Sequence, residues 1–109
     1  MDARVMAEAT KDYRTLEEFY PYYLGEHSNR TCRRLHFAGT SLGLACFALA
    51  IATQNLWWLL TGLIAGYAFA WVGHYFFEHN RPATFTYPFY SFLGDWVMWK
   101  EMLSGRIKF

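Results

Sequence analysis

The sequence predicts an all-α, membrane-embedded fold: a helical hairpin of two transmembrane helices, flanked by N- and C-terminal amphipathic interfacial helices. Two observations carry this prediction. Of the 109 residues, 54% are hydrophobic, 21% are aromatic and only 17% are charged, against about a quarter charged in typical soluble domains. Residues 35–77 contain no Asp, Glu, Lys or Arg, and this stretch is long enough to cross a bilayer twice.

The N-terminal part predicts a polar start and one short helix. Residues 1–14 mix acidic, basic and polar side chains. The pattern T-x-x-E that starts at Thr15 is a capping box, in which hydroxyl and carboxylate satisfy the first free backbone N–H groups of a helix. We expect an interfacial helix over residues 15–26, with its aromatic face, which includes Phe19 and Tyr23, towards lipid.

Two apolar stretches predict the transmembrane helices. Turn formers at Gly25 and Asn29 precede the first, which is expected over residues 31–53. The second is expected over residues 56–81, because Pro82 disfavours helical geometry in the residue before it. A span requires about 20 apolar residues; the second stretch meets this requirement outright and the first is borderline.

A C-terminal interfacial helix is predicted over residues 88–104. Pro88 suits the first turn and Gly105 suits the position just past the end, and Trp96 is typical of a membrane interface. A soluble bundle around two buried helices is the alternative. It is disfavoured because a chain of this size cannot cover two helices that are apolar all round. The whole chain, residues 1–109, is then a single membrane domain.

Positive charge lies at one end of the predicted hairpin. The short loop at residues 53–55 has none, whereas the other end has several cations: Arg30, Arg33, Arg34, Arg81, Lys100, Arg106 and Lys108. The positive-inside rule predicts that both termini are cytoplasmic, in a bacterial inner membrane or the endoplasmic reticulum. The net charge of +1 without a basic patch excludes nucleic acid as a partner. Membrane lipid is the expected surrounding, and homo-oligomerisation stays open.

Small residues recur along one face of each predicted span. At about 100° per residue, each set falls within a narrow arc and gives a smooth surface for close helix packing. We therefore expect a tightly paired hairpin. The two sets are Gly39, Gly43 and Ala50 on the first helix and Gly62, Gly66 and Gly73 on the second.

Three of the four histidines are predicted to meet at the cytoplasmic end of the hairpin. At about 1.5 Å per residue, His36 and His74 lie about 27 and 30 Å from the loop, so they share one depth. His74 and Glu78 are four residues apart and hence lie on one helix face, and the turn after His27 can fold this residue over His36. His27, His36, His74 and Glu78 are therefore the candidate metal ligands and catalytic residues.

Nitrogen and oxygen ligands suit iron(II), zinc or manganese. Each of these side chains also has a simpler interpretation. A single histidine can equally be an interfacial aromatic residue, but ionisable groups at membrane depth are usually functional. Three arginines are expected to bind a substrate carboxylate or, alternatively, lipid phosphate: Arg30, Arg34 and Arg81. The polar neighbours expected to support the ligands are Asn29, Asn80 and His79. His79 is also an alternative fourth ligand. Asp95 is either a further neighbour of the ligands or a solvated helix residue.

At these residues the sequence resembles a family of small membrane proteins, that of the fungal 2-hydroxy-fatty-acid dioxygenase, which takes phytosphingosine to odd-numbered fatty acids. The resemblance covers roughly residues 15–109. It is carried by three stretches, YYLGEHSNR at 22–30, RLHFAGT at 34–40 and GHYFFEHNRPA at 73–83.

The resemblance implies an iron(II)-dependent dioxygenase that uses O₂ as co-substrate. Its substrate would be a 2-hydroxy fatty acid or related lipid, shortened by one carbon through α-oxidation. It also implies that His27, His36 and His74 bind the iron together with Glu78. The fungal protein is longer and has extra spans, so this chain resembles a compact branch, and substrate identity does not transfer between branches.

Three other functions are compatible with parts of the pattern. His74 and His79 resemble a fragment of the histidine box of a di-iron desaturase, although four histidines are too few for that site. A haem-binding protein would use two histidines as axial ligands. A non-enzymatic small membrane protein would bind no metal at all.

Overall fold

The computed structural model describes residues 12–109, which contain four α-helices and no β-strand. The all-α fold class predicted from the sequence is confirmed for this part of the chain. Of the predicted polar start, residues 1–11 lie outside the described residues. The four helices are α1 (Leu16–Gly25), α2 (Arg30–Thr53), α3 (Trp57–Val72) and α4 (Pro88–Leu103), with a short 3₁₀ turn at Ala83–Phe85 before α4.

Two helices are long and apolar enough to cross a membrane. They are α2 and the continuous stretch Trp57–Glu78, in which α3 passes into a π-helical segment, Gly73–Glu78. Their 24 and 22 residues correspond to about 36 and 33 Å of helix, which exceeds the roughly 30 Å of a hydrocarbon core. Only 22% and 17% of their most apolar windows are buried within the protein. Packing inside this chain therefore does not account for their apolar character.

Asn29 and Gln54 delimit α2. The side-chain oxygen of Asn29 accepts hydrogen bonds from the backbone N–H groups of Thr31 and Cys32, at 2.9 and 3.2 Å, which satisfies two donors that have no partner inside the helix. Gln54 adopts a left-handed conformation with φ of 54°, which ends the helix and leads into the short loop to α3.

Glycine contacts hold the two long helices together. A Cβ atom at Gly39 would lie 3.0 Å from the carbonyl oxygen of Gly66, and one at Gly62 would lie 2.9 Å from Cys46 Cβ. Further towards the histidines, a Cβ atom at Gly73 would lie 2.9 Å from the sulfur atom of a cysteine on α2, Cys32. The small-residue faces predicted from the sequence are confirmed as the surfaces of closest approach.

The second long helix ends earlier than the predicted residue 81. His79 has φ of 57°, and the helix stops at Glu78. The backbone N–H groups of His79 and Asn80 both turn back to the carbonyl oxygen of His74, so the chain leaves the helix axis before it reaches Pro82. This early ending brings Asn80 close to the His74 ring.

The aromatic face of α1 packs against α4. Phe19 and Tyr23 are fully buried and share a core with Met98 and Met102 of α4. The expectation that this face is turned towards lipid is therefore wrong, because α4 supplies an apolar partner for it. The helix does begin at the predicted cap: the Thr15 hydroxyl accepts a hydrogen bond from the Glu18 N–H at 3.1 Å. The Glu18 carboxylate, however, accepts from the N–H of Arg14 and not from that of Thr15.

Helix α4 also crosses the hairpin and closes one side of it. The indole N–H of Trp99 donates to the Ser41 hydroxyl at 3.0 Å. A Cβ atom at Gly94 would lie 3.0 Å from the Tyr23 ring, so the lack of a side chain there lets α4 approach α1 closely. The two shorter helices thus form a layer over the end of the hairpin that carries the histidines.

We expect Gly39→Ala and Gly62→Ala to destabilise the hairpin, with Gly43→Ala as the matched control. The added methyl groups at the first two positions meet atoms at 3.0 and 2.9 Å, whereas at Gly43 the nearest atom is 3.8 Å away. Overpacking of this kind costs about 1–3 kcal/mol. Unfolding of the purified protein in detergent measures the effect. Equal stability of all three variants would contradict the assignment of Gly39 and Gly62 to the closest contacts between the two long helices.

Candidate metal centre

Three buried histidines from three different elements meet at one point. His27 follows the end of α1, His36 lies in the second turn of α2, and His74 belongs to the π-helical segment. Their ring centroids are 4.3, 4.5 and 4.9 Å apart, and each pair of rings is inclined by between 76° and 89°. One ligand atom from each ring lies within 4.8 Å of the others. The predicted convergence of these three residues is confirmed.

Oxygen acceptors hold the Nδ1 atom of each ring. His27 Nδ1 lies 2.6 Å from the carbonyl oxygen of Tyr23, and His36 Nδ1 lies 2.9 Å from that of Cys32. A carbonyl oxygen can only accept, so both Nδ1 atoms carry the proton. The other nitrogen of each neutral ring, Nε2, therefore has a free lone pair.

The Asn80 side chain fixes the third ring in the same way. His74 Nδ1 lies 2.7 Å from Asn80 Oδ1. The orientation of this amide follows from its other end, because Asn80 Nδ2 donates to the backbone oxygen and to the carboxylate of Glu26, at 3.0 and 2.5 Å. Asn80 Oδ1 is thus an acceptor, and His74 also carries its proton on Nδ1.

The free lone pairs of His27 and His36 face each other. His27 Nε2 and His36 Nε2 are 3.0 Å apart. Burial, followed by the neighbouring His36 and His74, holds the pKa of His27 well below its usual value, so no proton shared between the two rings relieves their repulsion near neutral pH. Two ligands of one metal ion, each about 2.1 Å from it, are separated by roughly 3.0–3.4 Å for bond angles of about 90–109°. The donor set therefore fits a divalent cation bound through Nε2.

Two side chains fasten the turn that carries His27. The carboxylate of Glu78 accepts hydrogen bonds from the backbone N–H of Asn29 and from the Ser28 hydroxyl. Arg33 Nη1 donates to the carbonyl oxygens of His27 and Ser28, at 3.1 and 2.8 Å. The structure thus does not bring the predicted ligand Glu78 into the histidine group: its carboxylate joins the π-helical segment to the turn that precedes α2.

The predicted arginines lie outside the histidine site. Arg30 Nε and Arg34 Nε both donate to the backbone oxygen of Phe109, at 3.0 and 2.8 Å, and the Arg81 guanidinium lies over the Phe85 ring at 5.1 Å. Within residues 12–109, the cavities beside the histidines are lined by none of the three.

The predicted polar neighbours act at different distances from the histidines. Asn80 contacts His74 directly. Asn29 does not touch the histidines: its side chain caps α2, and its backbone N–H donates to the Glu78 carboxylate. The side chain of His79 is exposed, and only its backbone N–H reaches the group, through the carbonyl oxygen of His74.

Tyr23 and Asp95 belong to the site, although no sequence pattern identifies Tyr23 and the pattern at Asp95 is equally that of a solvated helix residue. The Tyr23 ring stacks on the His27 ring with centroids 4.0 Å apart, and its hydroxyl donates to the Asp95 carboxylate. Burial raises the pKa of Asp95 to about 7, against the opposing effect of the Tyr23 hydrogen bond. Both residues line a cavity of about 20 Å³ against the three histidines. A long-range pair such as this has no local sequence pattern.

A family model matches most of the chain. Its description is 2-hydroxy-palmitic acid dioxygenase Mpo1-like, and the match covers residues 13–107. No curated protein and no solved structure gives a significant match.

We expect Asp95→Asn to remove a pH-dependent part of the stability. The pKa of Asp95 is raised in the folded state, so its contribution is fully present below about pH 4 and is lost as the pH rises through about 7. The free energy of unfolding of the unsubstituted protein, relative to Asp95→Asn, should therefore fall between about pH 4 and pH 7 and level off above that. Denaturant titrations in detergent, followed by tryptophan fluorescence, measure this difference.

The exposed carboxyl of Glu17 provides the control for this comparison. Glu17→Gln removes a carboxyl whose side chain lies in solvent at the start of α1, so the comparison separates the loss of a buried carboxyl from the loss of any carboxyl. Identical pH dependence in Asp95→Asn and the unsubstituted protein would contradict a raised pKa of Asp95.

Proposed function

Because the chain belongs to the Mpo1-like family, we propose that it is an iron(II)-dependent dioxygenase that shortens 2-hydroxy fatty acids by one carbon. The description of the family supports the reaction class and the fatty-acid substrate. The observation that carries the proposal is the convergence of three buried imidazoles, with one ring nitrogen of each within 4.8 Å of the others and the Nε2 atoms of His27 and His36 3.0 Å apart. Imidazole ligands are typical of iron, zinc and copper sites.

The overall reaction balances without a second organic substrate. Written out, RCH(OH)COOH + O₂ gives RCOOH + CO₂ + H₂O. The bond between the hydroxyl-bearing carbon and the carboxyl carbon breaks, and the fatty acid supplies all four electrons that reduce O₂. We therefore expect no requirement for 2-oxoglutarate. When bound, iron(II) supplies the one-electron chemistry through which O₂ reacts with such a substrate.

The chain's own residues hold and shield this chemistry. His27, His36 and His74 would bind the ion through Nε2. Tyr23 and Cys32 keep two of these rings in the required tautomer through their carbonyl oxygens, and burial keeps bulk water away from the reacting atoms. Glu78 acts on the loop and not on the ion. Three protein ligands would leave open positions on such an ion for the substrate.

The proposed location follows from the two long apolar helices. We propose that α2 and the stretch Trp57–Glu78 span the bilayer with both termini on the cytoplasmic side, as the arginines near the histidines favour. The substrate is itself a lipid and would reach the site from the membrane. Reporter tags at residues 1 and 109 should report the same, cytoplasmic side; opposite sides would contradict the hairpin topology.

We expect anaerobically purified protein to contain about one iron per chain. Alanine at His27, His36 or His74 should abolish binding. Asn80→Leu should weaken binding by about 10- to 100-fold, because loss of an acceptor on Nδ1 releases the ring. The matched control is His79→Asn, which removes an exposed imidazole at a left-handed position that asparagine tolerates.

Elemental analysis and a competition titration with a chelator measure both effects. Full metal retention after two of the three histidines are replaced would contradict the centre. A Soret band in the purified protein would favour a haem protein instead.

With iron(II) and O₂, we expect a long-chain 2-hydroxy fatty acid to be converted into the acid one carbon shorter, without 2-oxoglutarate. Mass spectrometry of products from odd- and even-chain substrates, each with and without the hydroxyl group, measures the reaction. Equal shortening of acids without the hydroxyl group would contradict binding through that group. No shortening by protein that contains iron would contradict the dioxygenase function.

A further inference from the structure

A second, larger cavity begins beside the histidines and follows the hairpin. Its volume is about 90 Å³. It extends along α2 from His36 to Gly43, seven residues or about 10 Å of helix, and α4 covers it from one side. We call it the hairpin furrow; it is lined among others by His36, Thr40, Gly43, Gly66, Phe92 and Asp95.

The furrow is continuous with the metal centre. His36 and Asp95 line both the furrow and the smaller cavity that touches all three histidines. Polar side chains lie at the histidine end: Thr40 is one helical turn from His36 on α2, and Asp95 of α4 lines both cavities. Beyond them the lining is glycine, alanine and large apolar side chains. A ligand that fits this arrangement has a polar head and an unbranched apolar tail.

Missing side chains keep the furrow open. Four glycines form its floor, but only Gly39 and Gly62 are required for helix contact, since a Cβ atom there meets its neighbours at 3.0 Å or less. At Gly43 and Gly66 the nearest atoms to an added Cβ lie 3.8 and 3.6 Å away. Helix packing alone would therefore accept a methyl group at these two positions. The space they leave faces the furrow.

The furrow is also open towards lipid. Leu63 lines it and is 51% exposed, and Phe92 lines it and is 45% exposed. Both residues belong to apolar surfaces that have no partner within residues 12–109. An alkyl chain in the bilayer can therefore enter the furrow sideways, without leaving an apolar environment.

We propose that the hairpin furrow binds the carbons of the fatty acyl chain next to the carboxyl end, while the remainder of the chain stays in the bilayer. This inference rests on the proposed function and names the part of the protein that selects the substrate. It has a specific consequence. A furrow about 10 Å long that opens to lipid selects against branches near the hydroxyl group, but it does not measure the total length of the chain.

The first experiment compares furrow variants with a lipid-facing control. Gly43→Leu and Gly66→Leu fill the furrow, and Ala48→Leu adds the same side chain to an exposed position of α2 outside it. The substrates are straight-chain 2-hydroxy acids of several lengths and one with a methyl branch a few carbons from the hydroxyl group. Metal content reports whether each variant is folded, and Gly43→Ala is the milder version of the same change.

We expect the unsubstituted protein to turn over the branched acid at least about tenfold more slowly than the straight one, with little dependence on chain length. Gly43→Leu should lower kcat/KM for the straight acid about tenfold or more at normal metal content, with Gly43→Ala intermediate and Ala48→Leu unaffected. Equal turnover of branched and straight acids, or furrow variants that behave like Ala48→Leu, would overturn the proposal.

The second experiment reads binding without activity. A 2-hydroxy fatty acid with a photoreactive diazirine a few carbons from the carboxyl end is cross-linked to the protein in lipid vesicles, and the labelled peptides are sequenced. We expect label on Leu63, Tyr67 or Phe92, and loss of this label in Gly43→Leu. Label only on outward-facing residues such as Leu49 or Leu60, unchanged in Gly43→Leu, would overturn the furrow.

The two experiments separate the furrow from the proposed function. Labelling in the furrow without shortening of any 2-hydroxy acid would support the lipid-binding furrow and contradict the dioxygenase function. Shortening of these acids with labelling only on the outer surface would support the function and contradict the furrow.

Discussion

The site depends on three imidazoles that meet in a buried space, two of which, His27 and His36, direct free lone pairs at each other. Repulsion between lone pairs 3.0 Å apart persists only where other contacts hold the rings in place. His27 and His36 each bond the carbonyl oxygen four residues earlier, and the carbonyl of Tyr23 is among the last four of α1, which need partners outside the helix. The helices thus provide the carbonyl oxygens that orient these two histidines. A cation between the rings would remove the repulsion.

The end of the second long helix supplies the third histidine and connects it to the other two. The π-helical segment and the left-handed His79 turn the chain back, so that Asn80 reaches both His74 and Glu26. Glu78 at the same turn holds the backbone of Asn29. Departures from regular helix geometry are common at functional sites. Here the departure links the start of α2, the end of α1 and the end of the hairpin in one network of hydrogen bonds.

The all-α fold and the meeting of His36 and His74 could be predicted from the sequence because they follow largely from helix length. The charge-free stretch predicts two helices long enough to span a membrane, and similar distances from the loop give His36 and His74 one depth. His27 is placed beside them by the turn that follows it. The role of Glu78 could not be predicted: its spacing from His74 places the two on one face of an α-helix, but a π-helical turn changes that angle. For Asp95 the sequence leaves two possibilities, a neighbour of the ligands or a solvated helix residue, because its partner Tyr23 lies far away in sequence and is brought to it only by the packing of α4.

Small residues serve two purposes along the hairpin, and the geometry separates them. Where an added Cβ atom would meet another atom at 3.0 Å or less, as at Gly39 and Gly62, glycine allows the helices to touch. Where the nearest atom is more than 3.5 Å away, as at Gly43 and Gly66, contact does not require glycine. A helix pair built only for close packing would gain from alanine at such positions, since glycine lowers helix stability. Helix packing therefore does not explain the open space beside His36. The position of this space next to the three histidines favours a bound molecule as the explanation.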